Sequence, residues 1–395
     1  AFPAILGTQS VERSLPALAA LEELVSLRAQ PAAFEACAKE MAATIRSLAE
    51  ARGEYGKIPL EVRFYRLDLF TRALACFLFS FLACALTWLL PRVRLLAILQ
   101  WLGLGLGLAL SVTGIVLRCV IRGRPPISTL YETILFITAT AVLLAILVEW
   151  INRQRVASTL AAVLGAGGLF LAMKYELKEA VTAGDTMPSL VAVLDTNFWL
   201  ATHVTTINLG YMAGLLASAL AHVWILGKLF GWRGGDAHFY RGLARMTYGV
   251  QCFGLLFGLV GTILGGIWAN YSWGRFWGWD PKENGALLIV LWMLVLLHGR
   301  MGGYLREFGF AVGSVFGGMV VAFSWWGVNF LGIGLHSYGF TEGVLGALKT
   351  SWIIEGTLIG VAVLWRITRG RVATQPEAHA LAGEAGRTAL TWPGP

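Results

Sequence analysis

The chain has 395 residues, of which 57% are hydrophobic and 14% charged, against about 25% charged in an average soluble domain. So little charge cannot clothe a water-soluble body of this size. The net charge of +8 is scattered over short connecting segments, which argues for membrane orientation and against nucleic acid as a partner.

Taken from the start, the chain opens at Ala1 with neither an initiator Met nor a basic leader, so it is expected to be processed, renumbered or one part of a longer polypeptide. Between 10 and 53, Leu15, Leu18, Leu21, Leu24 and Leu27 recur every three residues amid Glu and Arg. That spacing predicts an amphipathic helix, followed after Pro31 by a second one through Met41, Ile45 and Leu48. Residues 53–59 read as a linker. The expected domains are an extramembrane amphipathic segment and linker at 1–59, a transmembrane domain at 60–370 and a polar cytoplasmic tail at 371–395.

Charge-free runs such as 73–90, 97–117 and 308–335 match the ~20 residues that a helix needs to cross hydrocarbon. They predict an all-α polytopic protein with about nine spans. These fall at 69–90, 95–117, 130–150, 156–173, 199–229, 248–268, 285–297 extended past His298, 308–330 and 351–367. Placing the arginine-rich connections inside puts 233–245 and 300–306 in the cytoplasm and the intervening connections outside. Arg118, Arg122 and Arg124 then lie on the wrong side, either as a local anomaly or because positive charge is wanted there. Cys37, Cys76, Cys84, Cys119 and Cys252 form no CxxC pair and read as small hydrophobes.

The connection at 268–283 carries Trp268, Trp273, Trp277 and Trp279, with Tyr271 and Phe276, on a glycine-jointed backbone. An interfacial belt accounts for one or two tryptophans. Four fit either a platform for a flat apolar ligand, with Arg275 and Lys282 for its anionic substituents, or an elaborate belt or helix-packing loop. Asp280 is expected either to cap the next helix, with Pro281 in its first turn, or to act directly at the site.

Of the six histidines, His379 lies in the polar tail, His238 in a basic loop, and His222 is placed for a hydrogen bond across helices. His203 and His336 flank spans on the tryptophan side, 133 residues apart. Two imidazoles across an aromatic shelf suit a bis-histidine porphyrin iron, and each equally suits a cap or carbonyl bond at the interface. His298, near the other end of the seventh span, is roughly 20 Å away by helical rise and needs a site of its own.

The block Trp273-Gly-Arg-Phe-Trp-Gly-Trp-Asp-Pro-Lys-Glu resembles the tryptophan-rich (WWD) signature of the haem-handling proteins. With Arg124-Pro-Pro-Ile-Ser-Thr-Leu-Tyr-Glu-Thr, Asn197-Phe-Trp-Leu-Ala-Thr-His203 and Gly334-Leu-His336-Ser-Tyr-Gly-Phe, most of 60–367 resembles the CcsA/ResC family of System II cytochrome c synthases. The resemblance implies a cytochrome c haem lyase component that moves haem b outward and presents it for thioether attachment to the CxxCH cysteines of an apocytochrome c. His203 and His336 match the family's axial ligands, with Trp268, Trp273, Trp277, Trp279, Asp280, Arg124 and Arg275 around them. His298 matches an inner haem ligand. The inner site's other histidine has no counterpart here, which implies a CcsB/ResB-like subunit or a fused missing half. Thiol-reducing proteins are further implied partners, in a bacterial cytoplasmic or related energy-transducing membrane with the active loops on the periplasmic side. A haem exporter or chaperone without ligase activity is the alternative reading.

Overall fold

The computed structural model describes residues 19–53, 55–183, 186–187, 196–331, 333–334, 336 and 344–388. Leu15, Leu18, the 389–395 end of the tail and most of the segment around His336 lie outside the described residues. Among those described, every regular element is helical.

The chain divides after Asp68 into two compact units. In the first, α1 covers 19–26, α2 covers Pro31–Ala51 and α3 covers Ile58–Leu67. α2 carries the expected amphipathic pattern, with Glu35–Lys39 and Arg46–Glu50 pairs one turn apart at 2.6 and 2.8 Å. In the 53–59 stretch read as a linker, Tyr55–Lys57 form a 3₁₀ turn and α3 starts at Ile58. Pro59 sits in the first turn of α3, where a missing N–H is harmless, with Glu61 at the start and Arg66 at the end favouring helix. Asp68 at φ 43° ends it in the left-handed conformation.

In the second unit the spans are α4 Leu69–Leu89, α5 Arg94–Arg122, α6 Leu130–Asn152, α7 Val156–Ala183 and α8 Asn197–Leu229. They continue as α9 Ala237–Trp273, α10 Pro281–Met301, α11 Glu307–Trp325 and α12 Val344–Thr388. Nine helices among the described residues are long and apolar enough to cross a membrane, so the protein is a multi-pass membrane protein. α9 begins eleven residues before the expected start at Tyr248 (248 − 237), because the Asp236 carboxylate accepts the His238 N–H and starts the helix there. Arg241 and Arg245 are therefore helical, since charge marks a membrane boundary and a cap marks a helix boundary. α11 stops at Trp325 and a 3₁₀ turn at Gly327–Leu331 follows, shorter than the expected 308–330.

Alternating directions bring the start of α8, the end of α9, the start of α10 and the end of α11 to one end of the bundle, here termed the aromatic end. The core beneath joins Ile137 of α6, Tyr211 and Met212 of α8, Met293 of α10 and Val321 and Trp325 of α11. α8 and α9 approach so closely that a Cβ on Gly210 would stand 2.7 Å from the Gly258 Cα. Lipid offers apolar contact everywhere, so such backbone-to-backbone packing is what holds membrane helices together.

Two ion pairs tie the spans. Arg118 of α5, 2% exposed, donates to Glu132 of α6 at 2.9 Å and to the Thr186 carbonyl at 2.6 Å, and its guanidinium lies 4.9 Å from the Tyr131 ring. This removes Arg118 from the unexplained outward charges: it is neutralised inside the bundle. At the other pair, His222 Nε2 of α8 meets Glu355 of α12 at 2.7 Å, the cross-helix bond expected of His222. α12 is the least buried of the nine spans, so this bond is one of few anchors it has. Glu355→Leu is expected to loosen α12 by about 1 kcal/mol. Hydrogen exchange should then accelerate within 345–369 and stay unchanged in α8–α11.

Candidate functional site

His203 lies in a π-helical turn, Leu200–Val204, inset at the start of α8. Such one-turn insertions re-aim side chains and concentrate at functional sites. Its Nδ1 is 2.8 Å from the Gly261 carbonyl of α9, which fixes the proton on Nδ1 and leaves the Nε2 lone pair for another partner. The imidazole fits only because residue 265 has no side chain: a Cβ there would stand 2.6 Å from His203 Cε1. At neighbouring Gly266 a Cβ would stand 2.6 Å from the Phe276 ring, which folds the loop back onto α9. Trp268 packs edge-on to His203 at 5.7 Å, and Trp199 stacks on Trp268 at 6.3 Å.

The loop between α9 and α10 is built around carboxylates. Gly274, at φ +70°, ends α9. Asp280 and Glu283 form a capping box at the start of α10. The Glu283 carboxylate accepts from Gly278 N at 2.8 Å and Asp280 N at 3.1 Å, while Asn284 Nδ2 donates to the Trp279 carbonyl at 2.9 Å. These bonds clamp Trp279 at φ 58°, a conformation that is unfavourable for a bulky residue and persists only where its surroundings impose it. The result is an indole held 71% exposed, edge-on to Trp277 at 6.3 Å. Arg275 folds over Gly278, with its guanidinium 5.9 Å from the Trp273 ring and 3.8 Å from Glu283.

His336 approaches from the chain after α11. Its Nδ1 is 3.2 Å from Asp280 Oδ1, and its ring meets Trp273 edge-on at 5.2 Å. Gly334, at φ +90°, has no side chain where the Asp280 carboxylate lies, so the turn admits no other residue without displacement. Burial pushes the His336 imidazole below its ordinary pKa against the opposing pull of Asp280, which favours a neutral ring at pH 7. Asp280 also accepts the Lys282 N–H at 2.9 Å, the helix-capping role expected of it. The Lys282 ammonium, read as available for a ligand's anionic substituents, donates to the Trp325 carbonyl.

Each histidine has its Nδ1 beside an acceptor: that of His203 is 2.8 Å from the Gly261 carbonyl, and that of His336 is 3.2 Å from the Asp280 carboxylate. Neutral imidazoles among tryptophan faces fit a porphyrin iron. Arg124 lines a cleft of about 400 Å³ with Cys119, Pro125, Asn197 and Ala201, the last two on either side of Trp199. His298 is seventeen residues into α10 (298 − 281), about 25 Å from the cluster. It is exposed, its Nδ1 engaged by the Leu294 carbonyl at 2.9 Å, at the end of an exposed stripe formed by Leu288, Leu291 and Val295. Sequence reasoning missed the seats at Gly261, Gly265 and Gly334, which only tertiary contact reveals. It also missed the capping box, whose Asp-x-x-Glu spacing was readable at 280–283.

These features define a multi-pass membrane protein that presents two imidazoles among tryptophans at one end of its bundle. Residues 127–336, more than half of the chain, match the cytochrome C assembly protein family. The chain belongs to that family, and its role lies in cytochrome c biogenesis. It is 31% identical over 248 residues to the cytochrome c biogenesis protein CcsA of Chlamydomonas reinhardtii, covering 60% of this chain and 67% of that one. It is also 31% identical to CcsA of Parasynechococcus marenigrum, covering 59% of this chain and 84% of that one. Protein NrfI of Wolinella succinogenes is 32% identical over 71% of this chain, which corresponds to only 31% of that longer protein.

Proposed function

We propose that this chain receives haem b within the membrane, holds its iron between His203 and His336 at a periplasmic site, and presents it for covalent attachment to apocytochrome c. The observation that carries this reading is the placement of His203 and His336 against Trp268 and Trp273, each with its Nδ1 beside an acceptor. Trp277 and the clamped, exposed Trp279 supply further aromatic faces, and Arg275 supplies a cation beside them. The acceptor's two CxxCH thiols add across the haem vinyl groups, each forming one C–S bond while its proton passes to the adjacent vinyl carbon. No oxidant is consumed, and no thiol of this chain is needed.

His298 supports a second, inner station. An imidazole on the lipid-facing stripe of α10 suits an interface in which a CcsB/ResB-like helix supplies the opposing ligand. His298→Ala is expected to lower haem at the outer site several-fold while leaving that site able to bind haem added directly. Equal outer-site haem in the variant and parent would count against the relay.

Ligase action and mere haem delivery are separated by co-expressing the chain with a CcsB/ResB-type partner and a CxxCH acceptor in a host lacking other maturation systems. Covalent haem on the acceptor is expected. Haem bound by the chain without any thioether product would favour the exporter reading.

A further inference from the structure

The acceptors beside the two Nδ1 atoms are unlike in charge. The Nδ1 of His336 faces a carboxylate, Asp280 Oδ1 at 3.2 Å, whose side chain is 2% exposed. The Nδ1 of His203 faces a neutral backbone carbonyl, Gly261 at 2.8 Å. A carboxylate behind an imidazole draws its N–H proton, enriches the ring in negative charge and raises its basicity as a metal ligand. A carbonyl does so far less.

The surroundings of the two rings differ as well. Asp280 is fixed by its capping box and by the Lys282 N–H, and Gly334 leaves the space in which its carboxylate sits. His203 rides on the π-helical turn at Leu200–Val204, an inserted residue's worth of slack near the start of α8. A π turn can pass its extra residue along the helix and rotate what it carries. His336 therefore has the stronger acceptor behind its ring, a buried carboxylate, and His203, on a π-helical turn, has the weaker one, a backbone carbonyl.

Resting on the bis-histidine reading above, we infer that His336 is the ligand retained throughout attachment and that His203 is the one surrendered to the acceptor's own histidine. The exchange breaks the His203 Nε2–iron bond and forms one iron bond to the incoming imidazole. It requires no net electron or proton transfer. Asp280 is then a positioning residue acting through His336, and it makes the exchange directional.

The test compares His203→Gly, His336→Gly and the double variant His203→Gly with Asp280→Asn, each as the full chain extracted from its native membrane. Asn still caps a helix, so α10 is preserved while the charge behind His336 is lost. Haem per protein, the low-spin or high-spin spectrum and the reduction potential are read without imidazole. His203→Gly should keep several-fold more haem than His336→Gly, and adding Asp280→Asn should erase that advantage. In the otherwise unaltered chain, Asp280→Asn should raise the haem potential, which a purely structural cap would not do. A CxxCH peptide with both cysteines changed to alanine should restore a six-coordinate spectrum to His203→Gly more effectively than to His336→Gly. Equal haem retention in the two single variants, or more in His336→Gly, would overturn the order while leaving the ligand pair standing. Spectra insensitive to both histidines would overturn the ligand pair itself.

Discussion

Replacing His203 and His336 together by Ala is expected to lower the yield of covalent cytochrome c by more than ~100-fold. Loss of a group merely hydrogen-bonded behind a metal-binding histidine already costs about 10–100-fold in affinity, and here both direct ligands go. What remains is aromatic contact from Trp268, Trp273 and Trp277 and the charge of Arg275, which can hold a flat apolar molecule but cannot set its iron. Each single variant should retain part of the activity and recover more with imidazole, because a small ligand can enter the seat that Gly265 leaves beside His203 or the one between Trp273 and Asp280. Heme-stained acceptor, normalised to membrane-inserted chain, measures this. A double variant with parental yield would remove both histidines from the chemistry.

The second large effect is structural. Arg118→Ala leaves Glu132 buried with its charge uncompensated, its side chain 4% exposed and its other oxygen bonded to Ser128 N at 3.0 Å. Breaking a buried pair on one side costs about 3–5 kcal/mol, whereas replacing both partners by neutral residues costs much less. Arg118→Ala should therefore lower the unfolding midpoint in detergent and the abundance in membranes, and Arg118→Met with Glu132→Gln should recover most of both. Thermal unfolding followed by tryptophan fluorescence tests the difference. Equal destabilisation in the single and double variants would show that Arg118 acts through packing rather than charge.

The membrane architecture was readable because hydropathy acts locally: a run such as 73–90 or 209–227 declares its span without reference to any other part of the chain. The ends of the spans were less readable. α9 starts at a cap, Asp236, buried in a basic stretch that looked like loop, and α3 arises from the first-turn Pro59 in what looked like a linker. Membrane character says where a helix crosses, and capping says where it starts. The site divides in the same way. Its candidate residues, His203, His336 and the tryptophans, were visible as unusual residue types, and the resemblance on which they were assigned led to the right family. The supports were not visible, because a glycine at 265 or 334 acquires meaning only when a side chain from elsewhere in the chain arrives against it. Arg118, whose side of the membrane the charge pattern left unexplained, is neutralised by a carboxylate fourteen residues on.

The account stands or falls on the ligands of the outer iron. Magnetic circular dichroism of the purified full chain in its native complex, parent beside His203→Ala and His336→Ala at matched protein concentration, addresses this directly. Low-spin bis-histidine bands are expected in the parent, and loss of one histidine should convert them to five-coordinate or weakened bands that imidazole partly restores. Unchanged bis-histidine bands in both single variants would contradict the account.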